Sequence, residues 1–375
     1  MERRAPPVLF SGCRTGRSRA VHTRAVRDDT MGWFKQNNAP READEHAQQP
    51  ADQGAADAAA PARDEVPAEL ADFFLLLEEH LTEPELEDLE KSLDAPRQPP
   101  PMLDRISRGL DDPEELKEAI LSSPALSADV LRVVNSAAFM LPNPISSIEE
   151  AVVYLGTNLV KGLVLQATVT QVMTFSTAVQ QAAYMRLWRA SYVASTAAQA
   201  LAQAAQHENP QLLATRALLS GVGDLSLIAA QPQMAYLYAP KSGLFARLEA
   251  QQREIMANSA IMNSLLARRW KLPEDLRDAL HHAYTPMVRA PQASQRADLE
   301  RSNDVLLYTA ICLGHEVAFQ GLEQVGEFGI ERENALEYVH LPAHFAQLEL
   351  PPPEQVFARR KYAARVQHVI ESVNG

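Results

Sequence analysis

Leu131-Arg132-Val133-Val134-Asn135-Ser136-Ala137-Ala138-Phe139 decides the fold, together with Pro144-Ile145-Ser146-Ser147-Ile148 and Ala151-Val152-Val153-Tyr154-Leu155-Gly156 just beyond it. Read locally, the run is helix punctuation. Asn135 ends an apolar helical stretch and can bond back to the last carbonyls or take the left-handed conformation. Pro142 and Pro144 enforce an extended crossover. Ser147, with Glu150 three residues on, has the spacing of a capping box. Ala151, Tyr154 and Leu155 then face a core, and Gly156 closes the helix. These jobs are architectural, and none needs chemistry.

The same punctuation continues outward in both directions. Asp112-Pro113-Glu114-Glu115 combines an N-cap, a proline at the first helical position and acids at the positive helix end. Ser123-Pro124 stops that helix, and Ser127 can cap the next. Long helices are expected near 158–173, 177–205, 211–229, 243–257, 259–270 and 273–284. A polar linker at 288–300 then leads to a final helical pair near 302–320 and 354–372. No alternating strand pattern and no fixed-period repeat is found. The expected fold is all-α, a helical bundle with N-terminal and C-terminal helical appendages.

Composition limits the function classes. The 375 residues carry 35 Lys+Arg against 48 Asp+Glu, a net charge of −13. That balance argues against a general nucleic-acid binder, which needs a basic footprint. Two cysteines, Cys13 and Cys312, cannot build a disulfide framework or a cysteine-based zinc site, and they point to a reducing compartment. The longest apolar candidate, 151–169, is interrupted by Asn158, Lys161 and Gln166, so no transmembrane segment is expected and the location is read as cytoplasmic.

The N-terminal third differs from the rest. Residues 1–65 are expected to be disordered. Within them, 1–30 hold seven arginines against three acids, a balance that fits an organelle transit peptide or, the reading we prefer, sequence upstream of a start at Met31, with Met1 left open as the start. Residues 37–62 lack the large apolar side chains that offset chain entropy. Residues 66–96 form an acidic helical segment with ten acids against Lys91. Here Leu70, Phe73, Phe74, Leu77 and Leu81 recur at helical spacing, and a second short helix opens after Thr82. This segment is expected to dock on a neighbouring surface, its own domain or a partner. The C-terminal helix sets Val366, Val369, Ile370 and Val373 among Arg359, Arg360, Lys361 and Arg365, a basic amphipathic pattern that most simply packs on its own domain.

Common catalytic signatures are missing: no GxGxxG, Walker loop, HExxH, GxSxG or EF-hand loop occurs. His281 and His282 are adjacent, so on a helix they point about 100° apart and do not chelate one metal from one face.

The punctuation nevertheless has a specific order. Pro100-Pro101-Met102-Leu103, Ile120 to Leu126, the run quoted first, Leu187-Trp188-Arg189, Ala217-Leu218-Leu219 and Arg269-Trp270-Lys271-Leu272-Pro273 follow one another over about 190 residues. In this the chain resembles the HDOD family, the HD-related output domains of bacterial signalling proteins. The resemblance places the domain at 97–290 and leaves 291–375 as a C-terminal helical extension. It implies kinship with HD phosphohydrolases, where a His-Asp pair and further histidines hold a divalent ion that activates water. The equivalent of the His-Asp pair is Ser220-Gly221. The histidine after the Leu-Trp-Arg block is replaced by Ala190, and the one ahead of the Trp-Lys-Leu-Pro block by Ser259. Asp224 follows Gly221 with no histidine beside it.

From this we expect no enzyme, no metal and no cofactor, but a signal-transduction module working through a protein partner, without nucleic acid or a small-molecule ligand. Two alternatives remain open at this level. One is a degenerate HD-type phosphohydrolase with other ligands, such as His281, His282 and Asp304. The other is a sensor binding a nucleotide second messenger beside Ser220, Gly221 and Gly223.

Overall fold

The computed structural model describes residues 66–374, except 93–97, 100–101, 108–109, 111, 136–143, 170 and 333–334. The expectations for residues 1–65, for 136–139 of the deciding run and for Pro142 lie outside the described residues. All described residues belong to the unit Asp57–Gly375. Among them the regular elements are helices, with no strand.

The N-terminal part of the bundle holds α1 (Ala68–Ala71), α2 (Glu83–Ser92), α3 (Leu103–Ser107), α4 (Pro113–Leu121) and α5 (Pro124–Val134). Next come α6 (Ile148–Leu155), α7 (Thr157–Val169), α8 (Ala178–Ala204), α9 (Pro210–Leu219) and α10 (Val222–Ala230). The rest is α11 (Leu244–Ile255), α12 (Ser259–Arg269), α13 (Glu274–His282), α14 (Thr285–Val288), α15 (Asp298–His315), α16 (Leu341–Gln347), α17 (Pro353–Phe357) and α18 (Arg360–Asn374).

Much of the punctuation works as read. The Asp112 carboxylate accepts from the Glu114 and Glu115 N–H groups at the start of α4. Asn135 does more than cap α5. Its side-chain amide donates to the Leu131 carbonyl at 2.9 Å and to the Ile145 carbonyl at 2.8 Å, and its oxygen accepts from the Ile145 N–H at 2.8 Å. One amide therefore ties the helix end to the strand of chain returning ten residues later. Ser147 caps α6 through the Glu150 N–H, while the Glu150 carboxylate reaches one residue further back, to Ser146. Gly156 closes α6 at φ 83°, and a Cβ there would strike the Arg365 guanidinium.

Two local readings change. Ser123, not Ser127, caps α5 by accepting from the Leu126 N–H, while Ser127 donates back to the Ile120 carbonyl. Tyr154 does not face the core; it is exposed and stacks edge-on against His368 of α18.

The longest helix, α8, is the axis of the bundle. It is flanked by α7, α9, α15 and α18. Its small residues permit close approach: a Cβ on Gly314 of α15 would lie 2.2 Å from the Ala190 carbonyl oxygen. Inward polar groups are satisfied locally or by neighbours. Ser195 donates to the Ala214 carbonyl, and Asn158 donates to Gln199. One hydrophobic core runs from Leu70 to Val373, so α15 and α18 are packed into the same core as the central helices. The apolar face of α18 is buried, which agrees with the plainer reading of that basic helix. The chain through α9 and α10, Pro210–Ala230, is long and apolar enough to cross a membrane by composition, but it is 83% buried inside the protein, as a core helix is.

The acidic segment docks on its own domain. Its first half is not the expected helix. After α1, residues 73–77 run extended, and a single turn, Glu78–His80, follows. The Gln252 side chain takes both backbone groups of this strap: it accepts from the Leu76 N–H at 3.0 Å and donates to the Phe74 carbonyl at 2.9 Å. Asn258 donates to the Leu76 carbonyl. Leu75, Leu76 and Leu77 are buried. Arg268 meets Glu78, Glu83 and Glu90; Arg269 meets Glu90; His281 meets Glu79 at 2.6 Å.

Gln252→Ala removes two strap hydrogen bonds and strands buried backbone groups, a cost of about 1–3 kcal/mol. The expected outcome is faster proteolytic cutting within 66–92, mapped by intact mass. Cutting at the wild-type rate would show that the leucines alone hold the strap.

Candidate functional site

The stretch Leu218 to Gly223 separates α9 from α10, and the break has an identifiable cause. Asn263 of α12 donates to the Ser220 carbonyl at 2.8 Å and accepts from the Gly223 N–H at 2.7 Å. A side-chain amide thus replaces part of the helical ladder. Glycine is required for the approach: a Cβ on Gly223 would lie 2.5 Å from the Ser259 carbonyl oxygen, and one on Gly221 would lie 2.7 Å from the Ser191 hydroxyl. Small residues here serve helix packing.

The four positions singled out by the resemblance fall around one place. Ala190, Ser220 and Gly221 line a small cavity with Ser191, Tyr284 and His315. Ser259 lies on the adjoining polar cluster and donates to Asp224 at 2.5 Å. The same Asp224 oxygen accepts from the Tyr238 hydroxyl at 2.6 Å, and Gln251 approaches it at 3.4 Å. Asp224 is 3% exposed. The cavity volume is ≈ 10 Å³, room for about one water.

Two residues that the sequence reading missed complete the cluster: Arg247 of α11, 2% exposed, and His315 at the end of α15. The Arg247 guanidinium donates to the Ser242 carbonyl at 2.8 Å and the Ser242 hydroxyl at 3.3 Å. It meets Nδ1 of His315 and lies 4.2 Å from the Phe319 ring centroid. Burial pulls the guanidinium below its usual value, and Asp224 and Tyr238 pull it back up. Burial, with Arg247 beside it, pushes the His315 imidazole well below its usual value. His315 is therefore neutral and its Nδ1 lone pair accepts from the arginine. The sequence does carry a signal for Arg247. It shares a helical face with Leu244, Leu248 and Gln251, a charge on an otherwise core-facing stripe.

These residues do not fit a divalent ion. A hard-metal site needs several carboxylate or imidazole donors converging on a vacant point. Here one imidazole meets a guanidinium, and the one buried carboxylate nearby, Asp224, is taken up by Tyr238 and Ser259. Among the described residues no three His, Cys, Asp or Glu side chains are grouped to hold a metal.

His281, His282 and Asp304 are brought into one neighbourhood but not onto one point. The imidazole rings are perpendicular, and their Nε2 atoms turn to different carboxylates, Glu79 at 2.6 Å and Asp278 at 3.6 Å. Arg296 lies between Asp278, at 2.5 Å, and Asp304, at 2.8 Å. Burial pushes the Asp304 carboxyl up to about 7, helped by the like charges of Asp278 and Glu300 and opposed by Arg296. Burial draws His282 down to about 4.

The HDOD domain family matches residues 97–286. An HDOD domain protein of unknown function from Geobacter sulfurreducens aligns with 76% of this chain and 96% of its own, at 19% identity and a TM-score of 0.50. A protein from Shewanella amazonensis SB2B, provisionally named a phosphohydrolase, aligns over 82% and 97% at 18% identity and a TM-score of 0.44. The MmoQ response regulator of Methylococcus capsulatus aligns over 62% and 85% at 20% identity and a TM-score of 0.32. At these identities the first speaks to the fold alone. No curated protein matches the chain.

Proposed function

Because this chain belongs to the HDOD family, we propose that it is a non-catalytic bacterial signal-transduction module, acting in the cytoplasm by presenting its helical surface to a protein partner. The observation that carries the reading is the chemistry around Ala190, Ser220, Gly221 and Ser259. The resemblance puts metal ligands there, while this chain has a methyl group, two hydroxyls and a glycine, with a buried arginine adjoining through His315. Water activation for phosphoester attack needs a Lewis acid or a general base with access to substrate. The ≈ 10 Å³ cavity gives a nucleotide no room at this place, which also disfavours a second-messenger sensor built there.

The test uses the purified full chain and native lysate. Elemental analysis should find no stoichiometric divalent metal. Cyclic dinucleotides and phosphoesters should survive incubation with added Mn²⁺ or Mg²⁺. Calorimetry with cyclic dinucleotides should give no heat. Crosslinking with mass spectrometry should recover a protein joined to the helical surface. Metal-dependent hydrolysis at enzyme-like rates would overturn the reading, as would a tight nucleotide complex.

A further inference from the structure

We propose that Arg247 is a built-in cation that takes over the electrostatic role of the divalent ion in this bundle, from a place beside the vacated centre and in contact with it through His315. The inference rests on the reading that Ala190, Ser220, Gly221 and Ser259 mark vacated ligand positions. It adds what replaced the ion.

The surroundings of Arg247 are those of a bound cation. Lone pairs come from the Ser242 carbonyl, the Ser242 hydroxyl and Nδ1 of His315. The face of Phe319 lies beneath the guanidinium at 4.2 Å, and that of Tyr238 stands at 5.6 Å. Asp224 acts on the guanidinium through space with Tyr238 between them, since the Tyr238 hydroxyl donates to Asp224 while its ring stands beside Arg247. His315 touches the guanidinium and also lines the cavity against Ala190, Ser220 and Gly221, so the cation and the vacated positions adjoin. Asp224 is itself held by Tyr238 and by Ser259, one of those same positions.

Three protein donors surround the Asp224 carboxylate out of water, and a carboxylate buried with no cation nearby is strongly unfavourable. A guanidinium is suited to the place because it stays protonated when buried and offers several fixed donors. It also delivers its charge from α11, whose next turn holds the strap through Gln252. An ion arriving from solvent would not link those elements.

The experiment compares full-length Arg247→Met, Arg247→Lys and the double variant Arg247→Met with Asp224→Asn. Met keeps much of the volume and removes the charge. Arg247→Met is expected to lower Tm by about 10 °C. The double variant should recover at least half of that loss, because the carboxylate no longer needs a cation. Arg247→Lys should lie between wild type and Arg247→Met. As a separate arm, Arg247→Ala is titrated with low-millimolar guanidinium chloride against matched NaCl. A rise in Tm is expected for the variant only.

Wild-type stability in Arg247→Met would overturn the proposal. So would a double variant no better than the single one, or Arg247→Lys no better than Arg247→Met. Should Arg247→Met fail to fold, the Lys and double variants still decide the matter. A stoichiometric metal in the wild-type chain is a different result: it would sink the non-catalytic reading, whereas the Arg247 variants measure only where the positive charge comes from.

Discussion

Lowering the pH from 7 to 5 is expected to destabilise the full chain by about 3 kcal/mol, read by urea unfolding at constant ionic strength. The sign follows from which state binds protons. His282 and His344 are drawn down to about 4 by burial, and His315 is pushed well below its usual value. In the unfolded chain all three titrate near 6.5. Between those values the unfolded state takes up protons and the folded state does not, so His282 and His344 each cost about 2 kcal/mol over the interval and His315 adds to the loss in the same direction. Asp304 acts in the opposite direction. Its carboxyl is held up to about 7 in the fold against an ordinary value of 3.8. It therefore binds a proton on acidification that the unfolded chain does not, returning about 2 kcal/mol. Three losses outweigh one gain. Removing the gain with Asp304→Asn should steepen the acid loss. A stability that stays flat or rises toward pH 5 would show that these imidazoles are protonated in the fold. Below pH 4.5 a further loss begins, because Glu79 is held down to about 2, chiefly by its hydrogen bond to His281.

Local signals were legible in the sequence wherever one residue acts on its near neighbours. Asp112, Ser147 and Gly156 do in the structure what their spacing announces, because caps and positive-φ glycine closures are settled within a turn. Asn135 was legible as a helix end but not as a clamp on Ile145, since that needs the crossover to be placed. The strap at 73–77 was misread for a related reason. Phe73, Phe74 and Leu77 satisfy a helical period, yet Leu75 and Leu76 are buried too, which suits an extended chain held on both sides. What selects the extended form is Gln252, 176 residues away from the Leu76 N–H it pairs with. The site divides in the same way. Of the four positions singled out by order, Ala190, Ser220 and Gly221 line one small cavity and Ser259 lies on the polar cluster beside it. What adjoins that cavity could not be read from order. Arg247 and His315 lie outside every recognisable block, and only packing of α15 and α11 brings them together. Four of the ten acids of 66–96, Glu78, Glu79, Glu83 and Glu90, are likewise spent inside the molecule, on Arg268, Arg269 and His281.

Gly314→Ala should be among the most damaging single-methyl additions in this chain, at about 3 kcal/mol. The added Cβ would stand 2.2 Å from the Ala190 carbonyl oxygen, 3.0 Å from its carbon and 3.1 Å from the Ala194 Cβ. Two of those are backbone atoms of α8, which cannot swing aside as a side-chain tip would. α8 is itself packed by α7, α9 and α18, so α15 must back away. Against this, alanine in a helix gains about 1 kcal/mol over glycine in propensity, which is too little to reverse the sign. Gly326→Ala is the control: its Cβ would meet nothing within 4 Å, and the change should be near zero. The consequence extends past packing. His315 is the next residue, and its contact with Arg247 depends on α15 lying close to α8. If α15 backs away, the imidazole withdraws from the guanidinium. Gly314→Ala and Arg247→Met should then damage the same interaction, and their double variant should be less destabilised than the two singles added together, by about 1 kcal/mol. Strict additivity would mean that the α15–α8 contact and the Arg247–His315 contact are independent, and that the close approach at Gly314 exists for packing alone.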